Sequence, residues 1–291
     1  MLDNPANHLM VTAEKKVYFT SNSVNYKQGL IYLNKLYKEG LIDPEVFTHD
    51  TKQYMAKGKA PDILYGVFLD WFDELTVGDV RAKNDYIALP PLKGSDGKQR
   101  WNLLPTALLE RQNFAITNKM KNPEVAIRWA DQCYDWATSF ELVYGTWGEN
   151  IKKDGNKVIM LPPPAGMSVD DYRYRNSPAF ATPFALYEVD FKNLQFTDNH
   201  LRKFIRLDMY RQYFPALEEV YPAVFFYPEE ESELAILRTD INNYVDQMRA
   251  KFVVGSESVE AGWDNYVKQL NQMGLPKYLE LHQKALARYY K

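Results

Sequence analysis

An α/β fold is predicted because short apolar runs of strand composition alternate with longer stretches of helical periodicity. The helical stretches also carry clear start and stop signals, with Asn or Asp and Pro at their beginnings and Gly at their ends. With 291 residues the chain can bury a substantial core, in one large domain or two smaller ones.

The elements follow in order. KVYFT (16–20) reads as a short strand, followed by a helix from about Tyr26 to Glu39 with Leu30, Leu33, Leu36 and Tyr37 on one face. Gly40 ends that helix, and Asp43 before Pro44 caps a fresh helical or turn start. DILYGVFLDW (62–71) has the composition of a buried strand, with Gly66 as a bulge or close-approach point. YIALPPLKGSDGKQRW (86–101) predicts an extended segment and a polar turn, and NFAIT (113–117) another strand. Asn122-Pro123-Glu124 opens a helix whose apolar face is Ala126, Trp129, Ala130, Cys133, Ala137 and Phe140, ending near YGTWGEN. KKDGNKVIML (152–161) gives a turn and a strand, and proline-rich 162–200 reads as an irregular surface excursion. The last third is mostly helical. Pro228 and Glu229–Glu231 start a long helix with face Leu234, Leu237, Ile241, Tyr244, Val245, Met248 and Phe252, ended by Gly255. Two shorter helices follow, one carrying Trp263, Tyr266, Val267 and Leu270 up to Gly274, the other carrying Leu279, His282, Leu286 and Tyr289 after Pro276.

Composition narrows the partners. A formal net charge of −3 without a basic stripe argues against a nucleic-acid partner, and no polybasic run marks an anionic membrane surface. Aromatic residues make up 14% of the chain, 21 of them tyrosines, which suits both core packing and stacking on sugar rings. The single cysteine, Cys133, excludes an intrachain disulfide and falls on the apolar side of a helix, as a small buried hydrophobe would. The opening MLDNPANHLMVTAEKK does not read as a secretory signal, and YPAVFFYP falls well short of the ~20 apolar residues of a membrane helix.

No catalytic or cofactor signature is present: there is no GxGxxG, Walker loop, GxSxG or HExxH, and KGSDGK (93–98) has the character of a hairpin-like turn. The histidines His8, His49, His200 and His282 are scattered without metal-ligand spacing, so neither metal nor cofactor is expected. The acids Glu229–Glu231 fit a helix N-terminus, where negative charge offsets the macrodipole. Asp70 beside Trp71 suits a cleft, either as a sugar-binding pair or, with a second carboxylate, as part of a hydrolase or lyase. YGTWGENIKKDGN (144–156), led by Tyr144, sets Trp147 between two glycines, where its ring serves a ligand or packing; Trp101 beside the polar turn carries the same two readings. DDYRYRNSP (170–178) offers Tyr172 and Tyr174 with Arg173 and Arg175, for recognition of a polyhydroxylated or acidic ligand or as a solvated loop. Trp129 and Trp263, on helix faces, are expected in the core.

Taken in order, YLNKLYKEGLIDPEVFTHD (32–50), LPPLKGSDGK (89–98), AITNKMKNPEVAIRWADQCYD (115–135), YGTWGEN (144–150) and the C-terminal 240–291 span nearly the whole chain. In that order they resemble extracellular solute-binding proteins (family 1) of bacterial ABC importers, in particular the large lipoprotein branch of Bacillus-like and Paenibacillus-like bacteria. The resemblance implies a type II periplasmic-binding-protein-like α/β fold, with two lobes that close around a hinge on an oligosaccharide. Such a protein delivers its ligand to ABC permease subunits, needs no catalytic group, and works as a monomer outside the cell, lipid-anchored in full-length form. It further implies that 12–88 and 150–291 are mainly C-terminal lobe and that 89–149 returns to the N-terminal lobe. Position 32 would lie near mid-chain in such proteins. The chain is therefore expected to be a C-terminal portion, one fairly complete lobe plus part of the other, without signal peptide. The ligand contacts expected on this basis are Asp70, Trp71, Trp101, Tyr144, Trp147, Tyr172 and Arg175. The rivals are the carbohydrate-cleaving enzyme built on Asp70 and a cytoplasmic interaction protein.

Overall fold

The computed structural model describes residues 8–94, 97–101, 114–165, 167–178 and 182–291. Ser95 and Asp96 of the polar turn and Asn113 of the second strand-like run lie outside the described residues. In chain order the elements are β1 (Leu9–Val11), β2 (Val17–Phe19), α1 (Val24–Lys38), α2 (Thr51–Gly58), α3 (Asp73–Val77), α4 (Asp79–Asn84), α5 (Pro123–Cys133) and α6 (Trp136–Tyr144). They continue with β3 (Ile151–Asp154), β4 (Lys157–Met160), α7 (Val169–Asn176), α8 (Glu188–Asn193), β5 (Leu194–Gln195), α9 (Asp198–Arg211), α10 (Pro228–Val254), α11 (Val259–Gln272) and α12 (Leu275–Tyr289).

The chain divides into two compact units, one of Met1–Asp50, Leu89–Ala107 and Met209–Lys291, the other of Thr51–Ala88 and Leu108–Asp208. The core of the first joins β1, β2 and α1 to α10–α12, whereas that of the second joins α6 to β3, β4 and β5.

In the first unit, β1 and β2 pair antiparallel with Leu9 opposite Phe19. Ser23 caps α1 by accepting the Tyr26 N–H at 3.1 Å. At its other end the Gly40 N–H donates to the Tyr37 carbonyl at 3.0 Å, with Gly40 at φ +70°, where a side chain would be strained. The Asp43-Pro44 signal then resolves as a turn and not a helix, with the Asp43 carboxylate accepting the Glu45 N–H at 2.9 Å. The predicted face of α10 is the core: Leu234, Ile241, Val245, Met248 and Phe252 are buried, and Leu237 and Tyr244 pack against them. Gly255 stops the helix in the left-handed conformation (φ +80°). Tyr266 of α11 is buried and donates its hydroxyl hydrogen to the Ser21 carbonyl at 3.0 Å, so its polar end is satisfied. The first-turn acids of α10 do more than face the dipole. Glu230 accepts the Tyr227 N–H at 3.0 Å and two Arg288 donors at 2.9 and 2.5 Å, tying the start of α10 to the end of α12.

His282 of α12 is buried among Tyr221, Phe226 and Tyr278, with Nδ1 2.7 Å from the Tyr221 hydroxyl. Burial above all, and then the Arg238 charge, pushes its imidazole down to about 3. Between that value and the ordinary histidine range the unfolded chain binds the extra proton, so acid favours unfolding. Stability of this unit is expected to fall as pH drops from about 6.5 toward 3, by at most about 1.4 kcal/mol per pH unit from this group. Thermal melts across that range should show His282→Gln losing part of the slope; an unchanged slope would exclude His282 as its source.

In the second unit β3 and β4 form a hairpin turning at Gly155 (φ +59°), and β5 pairs parallel with β4. Phe140, Val143, Ile151, Val158 and Leu194 form its core. Five expectations are corrected here. The run 62–71 is irregular and largely exposed, and 114–117 is also outside any strand, because no neighbouring strand supplies ladder bonds to either among the described residues. The predicted single helix after Asn122 is two, since Asp135 accepts the Thr138 N–H at 3.0 Å and caps α6 as a new start. Trp129, expected in the core, is 50% exposed, because only the Ala130 and Cys133 side of α5 is covered. Finally, 162–200 is not one loop: it holds α7, α8, β5 and the start of α9.

Candidate ligand-binding site

Asp70 and Trp71 lie in the second unit on a loop braced by local hydrogen bonds. The Tyr54 hydroxyl donates to the Leu69 carbonyl at 3.2 Å, Tyr65 stacks on Tyr54 at 5.1 Å, and the Tyr86 hydroxyl donates to the Tyr65 carbonyl at 2.5 Å. The Asp70 carboxylate accepts the Trp71 N–H at 2.6 Å and, with its other oxygen, the Thr76 hydroxyl of α3. Thr76 is itself placed by Gly58 at the end of α2, where an added Cβ would collide with the Thr76 carbonyl. Gly58→Ala is therefore expected to force α2 and α3 apart and destabilise this unit by about 1–3 kcal/mol. A urea midpoint equal to the parent's would refute that close approach.

The Trp71 indole is 68% exposed. The Lys203 ammonium of α9 stands 5.1 Å from its ring centre and 4.0 Å from that of Phe72, a cation–π arrangement on both rings. Burial holds the Lys203 amine below the usual lysine range, against the opposing pull of Asp170, Glu74 and Asp70. Beneath it, buried Asp170 and Arg173 of α7 pair at 3.0 Å. His200 is buried between Phe72 and Phe196, with Nδ1 2.9 Å from the Thr197 hydroxyl, and burial pushes it down to about 4. On the α3 side, Arg206 pairs with Asp73, while Arg202 lies 3.9, 3.8 and 3.5 Å from Asp73, Glu74 and Asp79. Burial, helped by Asp73, raises Glu74 to about 7. The result is an exposed aromatic ring with an ammonium over it, beside a carboxylate held by the Trp71 N–H and the Thr76 hydroxyl.

The remaining expected contacts are placed otherwise. Trp101, in the first unit, is half-buried and stacked on Tyr210 at 4.2 Å and 12°, with its backbone N–H donating to the Tyr213 carbonyl at 2.8 Å. Trp147 is half-buried, stacked on Trp136 at 5.9 Å, and donates its indole N–H to the Ala137 carbonyl at 3.0 Å. Tyr144 is only 6% exposed, inside the second core against Phe140. Tyr172 is half-buried and Arg175 exposed on α7, a helix where a loop was expected. Lys203, Phe72 and His200 were missed. The signal for Lys203 was RKFIR (202–206) set in a helical pattern behind Asp198, which the preceding prolines concealed.

Among the described residues no group of three or more His, Cys, Asp and Glu could hold a metal ion, and no helix is long and apolar enough to cross a membrane.

No family model matches the chain. It is 29% identical over 292 residues to the fructooligosaccharide ABC transporter substrate-binding protein FusA of Streptococcus pneumoniae, across 97% of this chain and 52% of that one. The chain is similar to ABC-transporter substrate-binding proteins. The solved structure of S. pneumoniae FusA in complex with kestose covers 99% of it at 28% identity with a TM-score of 0.81, and 58% of the FusA chain is matched. An HMO-binding, ABC-transporter-associated solute-binding protein from Bifidobacterium longum infantis shares the fold at TM-score 0.76 and 22% identity, over 98% of this chain and 58% of that one. The α/β fold is thus that of solute-binding proteins, and these relatives are substrate-binding proteins and not enzymes. The chain spans about half the length of the curated relative it matches, 52%.

Proposed function

We propose that this chain is part of the substrate-binding component of an ABC importer, which binds an oligosaccharide by aromatic stacking and polar hydrogen bonds and does not transform it. The observation that carries this reading is the exposed Trp71 face, with Asp70 and Lys203 beside it, in a chain similar over its whole length to FusA. A sugar ring presents apolar C–H faces to an indole and hydroxyls to a carboxylate and an ammonium, so no catalytic group is needed. Asp70 and Trp71 are the primary contacts, with Tyr172 and Arg175 of α7 as further ones. Trp101, Trp147 and Tyr144 serve a ligand only through the rings they hold in place. The importer's permease subunits are the protein partner. The protein works outside the cell as a monomer, held at the membrane by a lipid anchor.

Calorimetric titration with kestose, nystose and maltotriose, followed by chromatography of the recovered sugar, tests this. Saturable binding of at least one sugar, recovered intact, is the expected result. Cleavage that disappears in Asp70→Asn would replace it with the hydrolase or lyase reading, and absence of binding to all three would remove the oligosaccharide assignment.

A further inference from the structure

Two buried polar atoms of opposite character lie close together in the second unit without meeting. Glu74 of α3 is 7% exposed and its Oε2 accepts no hydrogen bond, while Arg202 of α9 keeps a buried Nε that has no acceptor. A terminal nitrogen of Arg202 stands 3.8 Å from that Oε2. A guanidinium and an ionised carboxylate so placed close into a two-bond fork, with N···O of about 2.8 Å, after about 1 Å of travel. A neutral acid exerts no such pull. Glu74 passes between the two forms near neutrality, because burial first, and then the hydrogen bond and charge of Asp73, raise it to about 7. The other charges around it have partners. Asp73 pairs with Arg206, Asp79 of α4 with Lys83 at 2.8 Å, and Asp170 of α7 with Arg173 at 3.0 Å. Arg81 of α4 donates to the Gly58 and Pro61 carbonyls, and Asp70 accepts from Trp71 and Thr76. The α2 helix, which also packs on α3, brings Lys52 and Lys57. His200, pushed down to about 4, stays neutral around pH 7.

This pair adjoins the Trp71 face at both ends. Arg202 immediately precedes Lys203, and Glu74 follows closely on Trp71 and Phe72, the two rings under the Lys203 ammonium. A shift of α9 toward α3 therefore carries the ammonium across those rings. Granted the oligosaccharide reading of the Trp71 face, on which this rests, we propose that Glu74 and Arg202 are its positioning residues: ionised Glu74 closes the fork, draws α9 onto α3 and seats Lys203 against Trp71 and Phe72, so that sugar binds more tightly above neutral pH than below it. The direction follows from charge. The Glu74 carboxylate favours the charged form of Lys203, and an ammonium keeps its N–H donors available to sugar hydroxyls beside the indole.

Kestose titrations of the full chain, from about pH 6 to about pH 8, test it. Affinity should rise about 5-fold or more across that range, with a midpoint of about 7. Glu74→Gln, close in shape to the neutral acid, should hold the low-pH affinity throughout, and Arg202→Gln should flatten the profile as well. A flat parent profile, or a rise that survives Glu74→Gln, would overturn the proposal. So would affinity that falls with pH, which would assign the titration to the Lys203 amine. A second measurement needs no sugar: the Trp71 indole N–H resonance, identified by its loss in Trp71→Ala, should move with the same midpoint in the parent and stay fixed in Glu74→Gln. An indole that titrates in a chain binding no kestose at any pH would sink the oligosaccharide reading and leave the positioning. An indole that does not titrate, in a chain binding kestose equally at both ends of the range, would sink the positioning alone. The parent's profile and resonance decide the matter even where a variant fails to fold.

Discussion

Trp71→Ala is expected to weaken oligosaccharide binding about 30-fold or more, a loss of roughly 2 kcal/mol, as for an aromatic anchor at the centre of a site. The indole is exposed to solvent, and among the described residues its side chain makes no hydrogen bond that its removal would break. The same substitution should therefore leave the urea midpoint within about 0.5 kcal/mol of the parent, as for surface changes in general. That pairing separates a binding role from a structural one. Trp147→Ala provides the contrast: its indole N–H is engaged by Ala137 and its ring by Trp136, so stability is expected to fall first. Equal sugar affinity in Trp71→Ala and the parent, measured calorimetrically, would remove Trp71 from the site.

The largest effect on folding is expected at Phe252. Its side chain is fully buried in the first core and meets Tyr266 edge-on, with ring centres 5.7 Å apart. Replacing it with alanine removes that contact and leaves a cavity bounded by α10 and α11, at a cost of about 3–5 kcal/mol. Because the chain forms two units, unfolding need not be a single transition. The loss should appear in the transition that reports α10–α12 by hydrogen exchange, and a loss below about 1 kcal/mol there would contradict the packing described.

Much of the helical architecture could be read directly from residue order. The face of α10, the stops at Gly40, Gly255 and Gly274, and the acidic first turn at Glu229–Glu231 all rest on neighbours within about one helical turn. Asp70 with Trp71 was legible for a related reason, since the two residues are adjacent and the carboxylate bonds the next N–H. The ammonium beside that ring was not. Lys203 reaches Trp71 and Phe72 across more than a hundred residues, and no local spacing encodes that approach. Trp101 and Trp147 met the same limit from the other side: no local spacing encodes the rings they stack on, Tyr210 and Trp136.

By itself, then, the sequence determined where the helices of the last third begin and end, which of their faces are apolar, and the order of landmarks that resembles solute-binding proteins. Tertiary structure alone decided that DILYGVFLDW is a braced, exposed loop, that the stretch beyond Pro162 holds three helices, and that Trp71 stands open beside an ammonium. The physical difference is range. Capping and periodicity are satisfied within a single turn of chain, whereas a strand, a stacked ring or a cation–π pair exists only when a distant residue arrives to complete it.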